Sequence, residues 1–407
     1  MKNNIFKRDV FDDIVKYMED DVVIVLNGAR QVGKTCILYY IESYLKQKGE
    51  RVYYMDLEDS RLLQILNRGV DAFLAHLDEE GFDRTQQVFV LLDEIQHLDN
   101  PSSFLKLVND HHKKIKLIVS GSSSFEIKKK FKDSLVGRTV NFEIFPLNFK
   151  EFLEFKNYTF LQGIPFSEKK VDELRQLARE FTLYGSYPRI VLTAAKEKKE
   201  KFLEQIVETY IRKDIRDIGN IRDIDKFNKL VTVLASQSGN LINIQELSNT
   251  CGIAKQTVEY YLFLLENTYI IKLLRPYSRN IRSELFKTPK IMFYDSGLLQ
   301  MLWLKTIPNA VVGNVFETAI FSELVKRFGK DHLYYWRTKD KKEIDFILQR
   351  KNQILPIEAK INFSAFSKSS KNTVKYFLNH YLLEDYKVIA LEGNKKDKHD
   401  VYIWEEI

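Results

Sequence analysis

Residues Gly28-Ala29-Arg30-Gln31-Val32-Gly33-Lys34-Thr35 read G-x-x-x-x-G-K-T. They stand between an apolar, β-branched run, Val22-Val23-Ile24-Val25-Leu26, and a helical pattern opening at Cys36-Ile37-Leu38. A strand, a glycine turn and a helix N-terminus in that order make an anion cradle, because backbone N–H groups and the positive end of the helix dipole converge on a phosphate. Glycine at 28 and 33 lets the chain turn and the backbone come close. Lys34 is expected to reach the β- and γ-phosphates and Thr35 to ligate magnesium, with Ala29, Arg30, Gln31, Val32 and Cys36 completing the cradle. The spacing names a ligand, ATP or GTP with Mg2+. A chance glycine turn is the competing reading, and the strand before and helix after count against it.

A second element points the same way. Val88-Phe89-Val90-Leu91-Leu92-Asp93-Glu94 is an apolar strand ending in two acids. Asp93 is expected to hold magnesium, often through water, and Glu94 to act as general base on the attacking water. The alternative is a buried strand simply reaching solvent. A third strand, Lys116-Leu117-Ile118-Val119-Ser120, runs into Gly121-Ser122-Ser123-Ser124. Ser120 or Ser122 fits a polar contact to the γ-phosphate or the attacking water, and a serine-rich turn fits as well. Arg138, in Val136-Gly137-Arg138-Thr139, reads equally as an arginine finger acting in trans or as a surface arginine at a turn.

The chain of 407 residues is long enough for two to four domains. Its 44% hydrophobic and 29% charged content is that of a globular protein with a sizeable core. No apolar run approaches the ~18 residues of a membrane-spanning helix, and the N-terminus lacks the apolar region of a secretory signal. Two cysteines, Cys36 and Cys251, give no disulfide framework. These features lead us to expect a cytoplasmic protein with no membrane partner. The net charge is +7, and residues 326–407, with 17 Lys and Arg against 12 Asp and Glu, carry +5 of it. That excess is compatible with nucleic acid, and also with ordinary solvated lysine faces.

Residues 1–146 alternate strand candidates, at 22–27, 51–57, 88–93, 116–120 and 140–145, with helical patterns, which predicts a parallel sheet covered by helices on both faces. Residues 147–219 read as mostly helical, broken at Gly185-Ser186-Tyr187-Pro188, and as a lid over the nucleotide. Arg189 follows the break and reads as a nucleotide contact or, better, a helix-capping residue. Residues 220–284 read as a winged helix: helices at 225–236 and 244–250, a turn at Cys251-Gly252-Ile253, a helix at 255–267 and a wing strand at 269–274. The second helix of such a motif lies in the major groove of double-stranded DNA. Here it offers Lys255, Gln256, Thr257 and Tyr260 but also Glu259 and Glu266, so DNA binding and a structural or protein-contacting role both fit. Arg275, Tyr277, Arg279 and Arg282 are better phosphate contacts.

Residues 285–407 form the last unit. A helix opens at Gly313-Asn314-Val315-Phe316-Glu317, and two strands follow, one through Glu343-Ile344-Asp345-Phe346 and one through Ile357-Glu358-Ala359-Lys360. Period-two alternation places Glu358 and Lys360 on one face, beside Asp345 on the neighbouring strand. Two carboxylates and a lysine there form a hard-cation site with a base beside it, and Glu317 could complete it. Ion-paired strands on a solvated face are the competing reading.

Together and in order, several segments resemble a large prokaryotic family of AAA-type ATPases. They are Gly28 to Thr35, Leu91-Leu92-Asp93-Glu94-Ile95-Gln96, Ser120-Gly121-Ser122-Ser123, Gly137-Arg138, Phe145-Pro146-Leu147 and Gly185-Ser186-Tyr187-Pro188. Further along come Asp295-Ser296-Gly297-Leu298, Gly313 to Glu317, Glu343 to Phe346 and Ile357 to Lys360. In that family the C-terminal half joins a winged helix to a PD-(D/E)xK nuclease-like fold. The resemblance implies an α/β phosphate-loop NTPase of AAA type with a helical lid, a winged helix and a PD-(D/E)xK-like α/β domain. It favours ATP over GTP, assigns Glu94 and Arg138 to hydrolysis and Thr35 and Asp93 to the metal, and maps a nuclease-type core onto Glu317, Asp345, Glu358 and Lys360. Three functions stay open: an Mg-dependent ATPase switch coupled to DNA, an ATP-gated metal-dependent endonuclease, and a non-catalytic assembly protein with a protein partner, each compatible with a homo-oligomer.

Overall fold

In the computed structural model, residues 5–121, 135, 137–158, 166–215, 219, 221–278, 288–351 and 353–405 are described. The chain divides into two compact units, Met1–Phe145 and Pro146–Ile407.

The first unit is built on five parallel strands: β1 (Val23–Gly28), β2 (Arg51–Asp56), β3 (Val88–Asp93), β4 (Ile115–Gly121) and β5 (Thr139–Ile144), in the spatial order β2-β3-β4-β1-β5. β1, β3 and β4 are buried along their whole length, as expected of parallel strands with both faces covered. Val25, Val90, Leu92, Leu117 and Val119 pack with Phe73, Leu77, Leu105 and Val108 from the helices. Parallel pairing brings the carboxyl ends of all five strands to one edge, and the order reverses beside β1. A crevice at such a switch point is where open α/β sheets bind ligands. Because β4 lies between β1 and β3, the end of β4 is set between the glycine loop and the acid pair.

In the second unit, helices Phe149–Phe155, Glu168–Tyr184, Pro188–Val191 and Lys196–Ile206 are followed by a π-helical stretch, Val207–Ile215. Arg189 lies over the Phe202 ring at 3.7 Å, a cation–π contact rather than a helix cap. Helices Ile224–Ser236, Ile244–Cys251 and Lys255–Asn267 lead into β6 (Ile271–Leu274), which pairs antiparallel with β7 (Lys290–Phe293). The sequence reading assigns β7 to the last unit, yet it is hydrogen-bonded to the strand assigned to the wing. Arg279 and Arg282 lie outside the described residues. The final sheet has the order β12-β11-β10-β9-β8, from β8 (Leu333–Arg337), β9 (Glu343–Arg350), β10 (Gln353–Asn362), β11 (Lys387–Glu392) and β12 (Asp400–Tyr402). β8, β9 and β10 run antiparallel, and the helix Lys368–Tyr381 carries the chain across to β11, parallel to β10.

Several scattered motifs meet in one joint of this unit. Asp295 is buried and caps the helix Ser296–Leu304 by accepting from Leu298 N at 2.9 Å, and it also accepts from Ser186 N at 2.8 Å. A Cβ on Gly185 would stand 2.0 Å from Asp295 Oδ1, and one on Gly297 would stand 2.1 Å from the Tyr184 carbonyl. Gly297 is therefore demanded by the close approach of the Tyr184 backbone, and Gly185 by the Asp295 carboxylate and its own φ of 71°. Lys326, on the helix Gly313–Phe328, donates to Ser186 Oγ at 2.7 Å and to the Leu147 carbonyl at 3.0 Å. No helix among the described residues is long and apolar enough to cross a membrane.

Candidate functional site

The glycine loop leaves β1 and turns through Gln31 (φ 62°) and Gly33 (φ 96°) into the helix Lys34–Gln47. Gly28 admits no side chain, since a Cβ would sit 2.2 Å from the Ile144 carbonyl of β5. Lys34 is buried, and its ammonium donates back to the carbonyls of Ala29 at 2.8 Å and Gly28 at 3.2 Å. Burial pulls this lysine down to about 8, against the pull of Glu94 and Asp93. Val32 is buried; Arg30, Gln31 and Cys36 are exposed, and Thr35 is half-buried at the helix start. Arg8 braces the loop: buried, it donates to the Val32 carbonyl and to the Phe145 carbonyl, each at 2.9 Å. A lone arginine 20 residues before the motif carries no local signal, so the sequence reading missed it.

The acids stand at the end of β3. Asp93 is buried; its Oδ1 accepts from Ser120 Oγ and from Glu94 N at 3.1 Å, and its Oδ2 accepts from Tyr54 OH at 3.0 Å. The Ser120 hydroxyl also lies 3.4 Å from Glu94 N, tying the end of β4 to the acid pair. Glu94 takes a left-handed backbone (φ 55°), uncommon outside glycine. Its carboxylate accepts from the Gln96 side chain. Tyr54, on β2, is a further residue that sequence reasoning missed; burial, a bond with Tyr39 and Asp93 keep its hydroxyl protonated. Of the two serines, Ser120 is the one seen at Asp93, while Ser122 lies outside the described residues.

Arg138 is not brought to this edge. It precedes β5, at the opposite end of the sheet from the glycine loop, and pairs with Asp110 at 2.7 Å. Within one chain it cannot act on the nucleotide, so any finger role has to be in trans.

In the second unit, β9 and β10 form a hairpin with Ile357 opposite Phe346, so the continuing register sets Asp345 opposite Glu358. Lys360 Nζ lies 2.7 Å from Asp345 Oδ2 and 2.6 Å from Glu358 Oε2. Ala359 N donates to Asp345 at 2.9 Å. Glu317 joins through a residue absent from the sequence reading: Lys290 of β7, fully buried, reaches Glu317 Oε1 at 3.3 Å and Glu343 Oε1 at 2.5 Å. Arg337 holds the other oxygen of Glu343 at 2.7 Å. The result is an ion network of four carboxylates and three cations drawn from β7, β8, β9, β10 and the 313–328 helix.

Charge and burial compete throughout this network. Burial, then the Asp345 charge, pushes Glu317 up to about 7 and Glu358 up to about 8. Asp345 is raised by burial, but Lys360 and Lys290 outweigh that and hold it below its usual value. Among the described residues, no group of three or more acids, histidines or cysteines is placed to surround a metal ion. One buried oxygen, Glu358 Oε1, has no hydrogen-bond partner.

Three family models match the chain. Residues 20–153 match the model of an AAA domain, residues 175–309 a domain of unknown function (DUF8612), and residues 312–404 a domain of unknown function (DUF4143). An uncharacterized protein of Haemophilus influenzae is 25% identical across 98% of this chain and 96% of its own length. One of Methanocaldococcus jannaschii is 29% identical across 81% of this chain and 73% of its own. Among solved structures, a Walker-type ATPase of Pyrococcus abyssi covers 74% of this chain and 97% of that chain (TM-score 0.44, 13% identity). Cdc6p of Pyrobaculum aerophilum covers 69% of this chain and 91% of that chain (TM-score 0.33, 15% identity). The chain thus carries an AAA domain, which contains the parallel sheet and its glycine loop, and a C-terminal DUF4143 domain, and it has prokaryotic relatives that align over most of its length.

Proposed function

We propose that this protein is an Mg-dependent ATPase whose turnover works as a conformational switch coupled to DNA. The observation that carries the reading is the meeting of Lys34, Asp93, Glu94 and Ser120 at the carboxyl edge of one sheet. Lys34 is the cation for the phosphates. It now satisfies its ammonium on loop carbonyls, and a triphosphate would offer it stronger, charged acceptors. Thr35 and Asp93 are the oxygen donors a hard cation takes. Both oxygens of Asp93 already accept hydrogen bonds, which favours holding magnesium through water. Glu94, beside them, is the general base. The coupling to DNA is supported by the helix pair 244–251 and 255–267 followed by the β6–β7 ribbon. The test compares Lys34→Ala with Glu94→Gln. Loss of ATP binding in the first, and retained binding with lost hydrolysis in the second, is the expected pair. Normal hydrolysis by Glu94→Gln would remove that residue as the base.

A second reading, an ATP-gated metal-dependent endonuclease, is favoured by one observation. Glu358 Oε1 is buried and unpartnered beside Asp345 and Lys360, in a domain whose helix–three-strand–helix–strand order suits a PD-(D/E)xK core. Asp345 and Glu358 would be the cation's ligands and Lys360 the residue holding the water. Plasmid incubated with magnesium or manganese, with and without ATP, should be cut by the wild type and not by Asp345→Ala or Lys360→Ala. An uncut plasmid with ATP turnover intact leaves the switch alone.

A further inference from the structure

The 25 residues from 359 to 383 contain four lysines and no aspartate or glutamate. Three of those lysines, Lys368, Lys371 and Lys375, lie on the helix Lys368–Tyr381 at spacings of three and four, so they form one stripe about 10 Å long. All three are exposed, and among the described residues none has a carboxylate partner. The opposite side of the helix is its packed face, with Thr373, Val374, Phe377 and Tyr381 buried and Phe377 edge-on to Trp336 of β8 at 5.1 Å.

An aromatic stands inside the basic stripe. Tyr376 is 45% exposed and also touches Trp336, with ring centroids 6.1 Å apart. Its ring lies parallel to that of His380, with centroids 6.1 Å apart. The ammonium of Lys342, from the turn between β8 and β9, sits 4.2 Å above it. That turn, Lys339-Asp340-Lys341-Lys342, is exposed and adds two more lysines without carboxylate partners. The other outward positions of the helix are Ser369, Asn372 and Asn379, polar rather than apolar. An anionic bilayer would be met by a row of inserted apolar side chains beside the lysines; beside Tyr376 this face offers one exposed apolar side chain, Leu382 at the C-cap of the helix, 89% exposed. Lysines flanking an exposed, pre-oriented ring are the arrangement that holds a phosphate backbone while a base stacks.

We propose that the outer face of the 368–381 helix, together with the 339–342 turn, binds a single nucleic-acid strand, lysines to phosphates and Tyr376 to a base. The proposal does not rest on the nucleotide reading of the first unit. It is tested on the full chain by fluorescence anisotropy with labelled oligothymidine, a duplex, and phosphatidylserine vesicles across a salt series. The combined Lys368→Glu, Lys371→Glu and Lys375→Glu variant should bind the single strand about tenfold more weakly. Its salt slope should fall by about 2, since each phosphate that a lysine no longer neutralises removes about 0.7. Tyr376→Ala should weaken the single strand and leave the duplex unchanged. All four side chains are exposed, so unchanged melting of the variants is expected; if the charge reversal unfolds the chain, the three glutamine substitutions serve in its place. Wild-type binding by the triple variant, or a loss seen on vesicles alone, would overturn the proposal. ATP binding by the same preparations reports the first unit separately.

Discussion

The two charged sites of this chain are built in opposite ways. In the first unit, one lysine is held by backbone carbonyls at the mouth of a loop, and two acids stand across the end of a sheet from it. The lysine there meets neutral carbonyl dipoles, and the magnesium–ATP complex proposed above would offer it charged acceptors. In the second unit, three cations answer four carboxylates through direct contacts of 2.5–3.3 Å, and the network is nearly closed on itself. A site whose ions are already paired gains less from a new ion than one whose lysine is paired only with neutral dipoles, because the incoming ion must displace a charge partner.

The largest effect should come from breaking the open site. Lys34→Ala is expected to lower ATP affinity at least 100-fold, measured by calorimetric titration, because the phosphates lose their only buried cation in the loop. If affinity stays within threefold, the loop is not the phosphate site. Breaking the closed site should instead cost stability. Lys290→Met leaves the half-buried Glu317 without its cation, and removing one partner of a fully buried pair typically costs about 3–5 kcal/mol, the upper limit of what is expected here. Chemical denaturation should show that loss, and the double variant with Glu317→Gln should recover most of it. A single variant that melts like wild type would mean the network is not held by Lys290.

The pH dependence should differ in sign between the sites. Glu317 and Glu358 are raised, to about 7 and about 8, so folding takes up protons there; their contribution is greatest at low pH and is lost as pH rises from about 4.5 through 8. Lys34 is lowered to about 8, so folding releases a proton and stability rises with pH between about 8 and 10.5. Hydrogen exchange on β9 and β10 against β1 and β4 should resolve the two slopes; parallel slopes would undo the contrast. The smallest effect concerns Tyr54→Phe, which removes one donor to Asp93. Turnover is expected to fall about threefold with ATP affinity unchanged, and a change in affinity instead would place Tyr54 in binding.

What could be read beforehand differed between the sites for the same reason. The glycine loop is eight consecutive residues, and its flanking strand and helix are adjacent in the chain, so short-range spacing carried it. Strand periodicity likewise marked the five strands of the first sheet to within a residue or two of their observed ends. The hairpin pair Asp345 and Glu358 was legible because period-two alternation across a short turn sets the facing positions. Lys290 was not, since it comes from β7 and meets Glu317 and Glu343 only after that strand has paired with β6 and the 313–328 helix has packed nearby.

Sequence alone therefore determined the phosphate loop, the acid strand, the alternation of strands with helices and the basic tilt of the C-terminal fifth. Each of these is written in neighbouring residues, where backbone geometry fixes which side chains share a face. Tertiary structure alone decided that Arg8 braces the loop, that Ser120 and Tyr54 hold Asp93, and that Arg138 stands at the far end of the sheet. It also decided that Asp295 joins two glycine motifs more than 100 residues apart. Contacts of that kind depend on strand order and close backbone approach, which only the packed core sets.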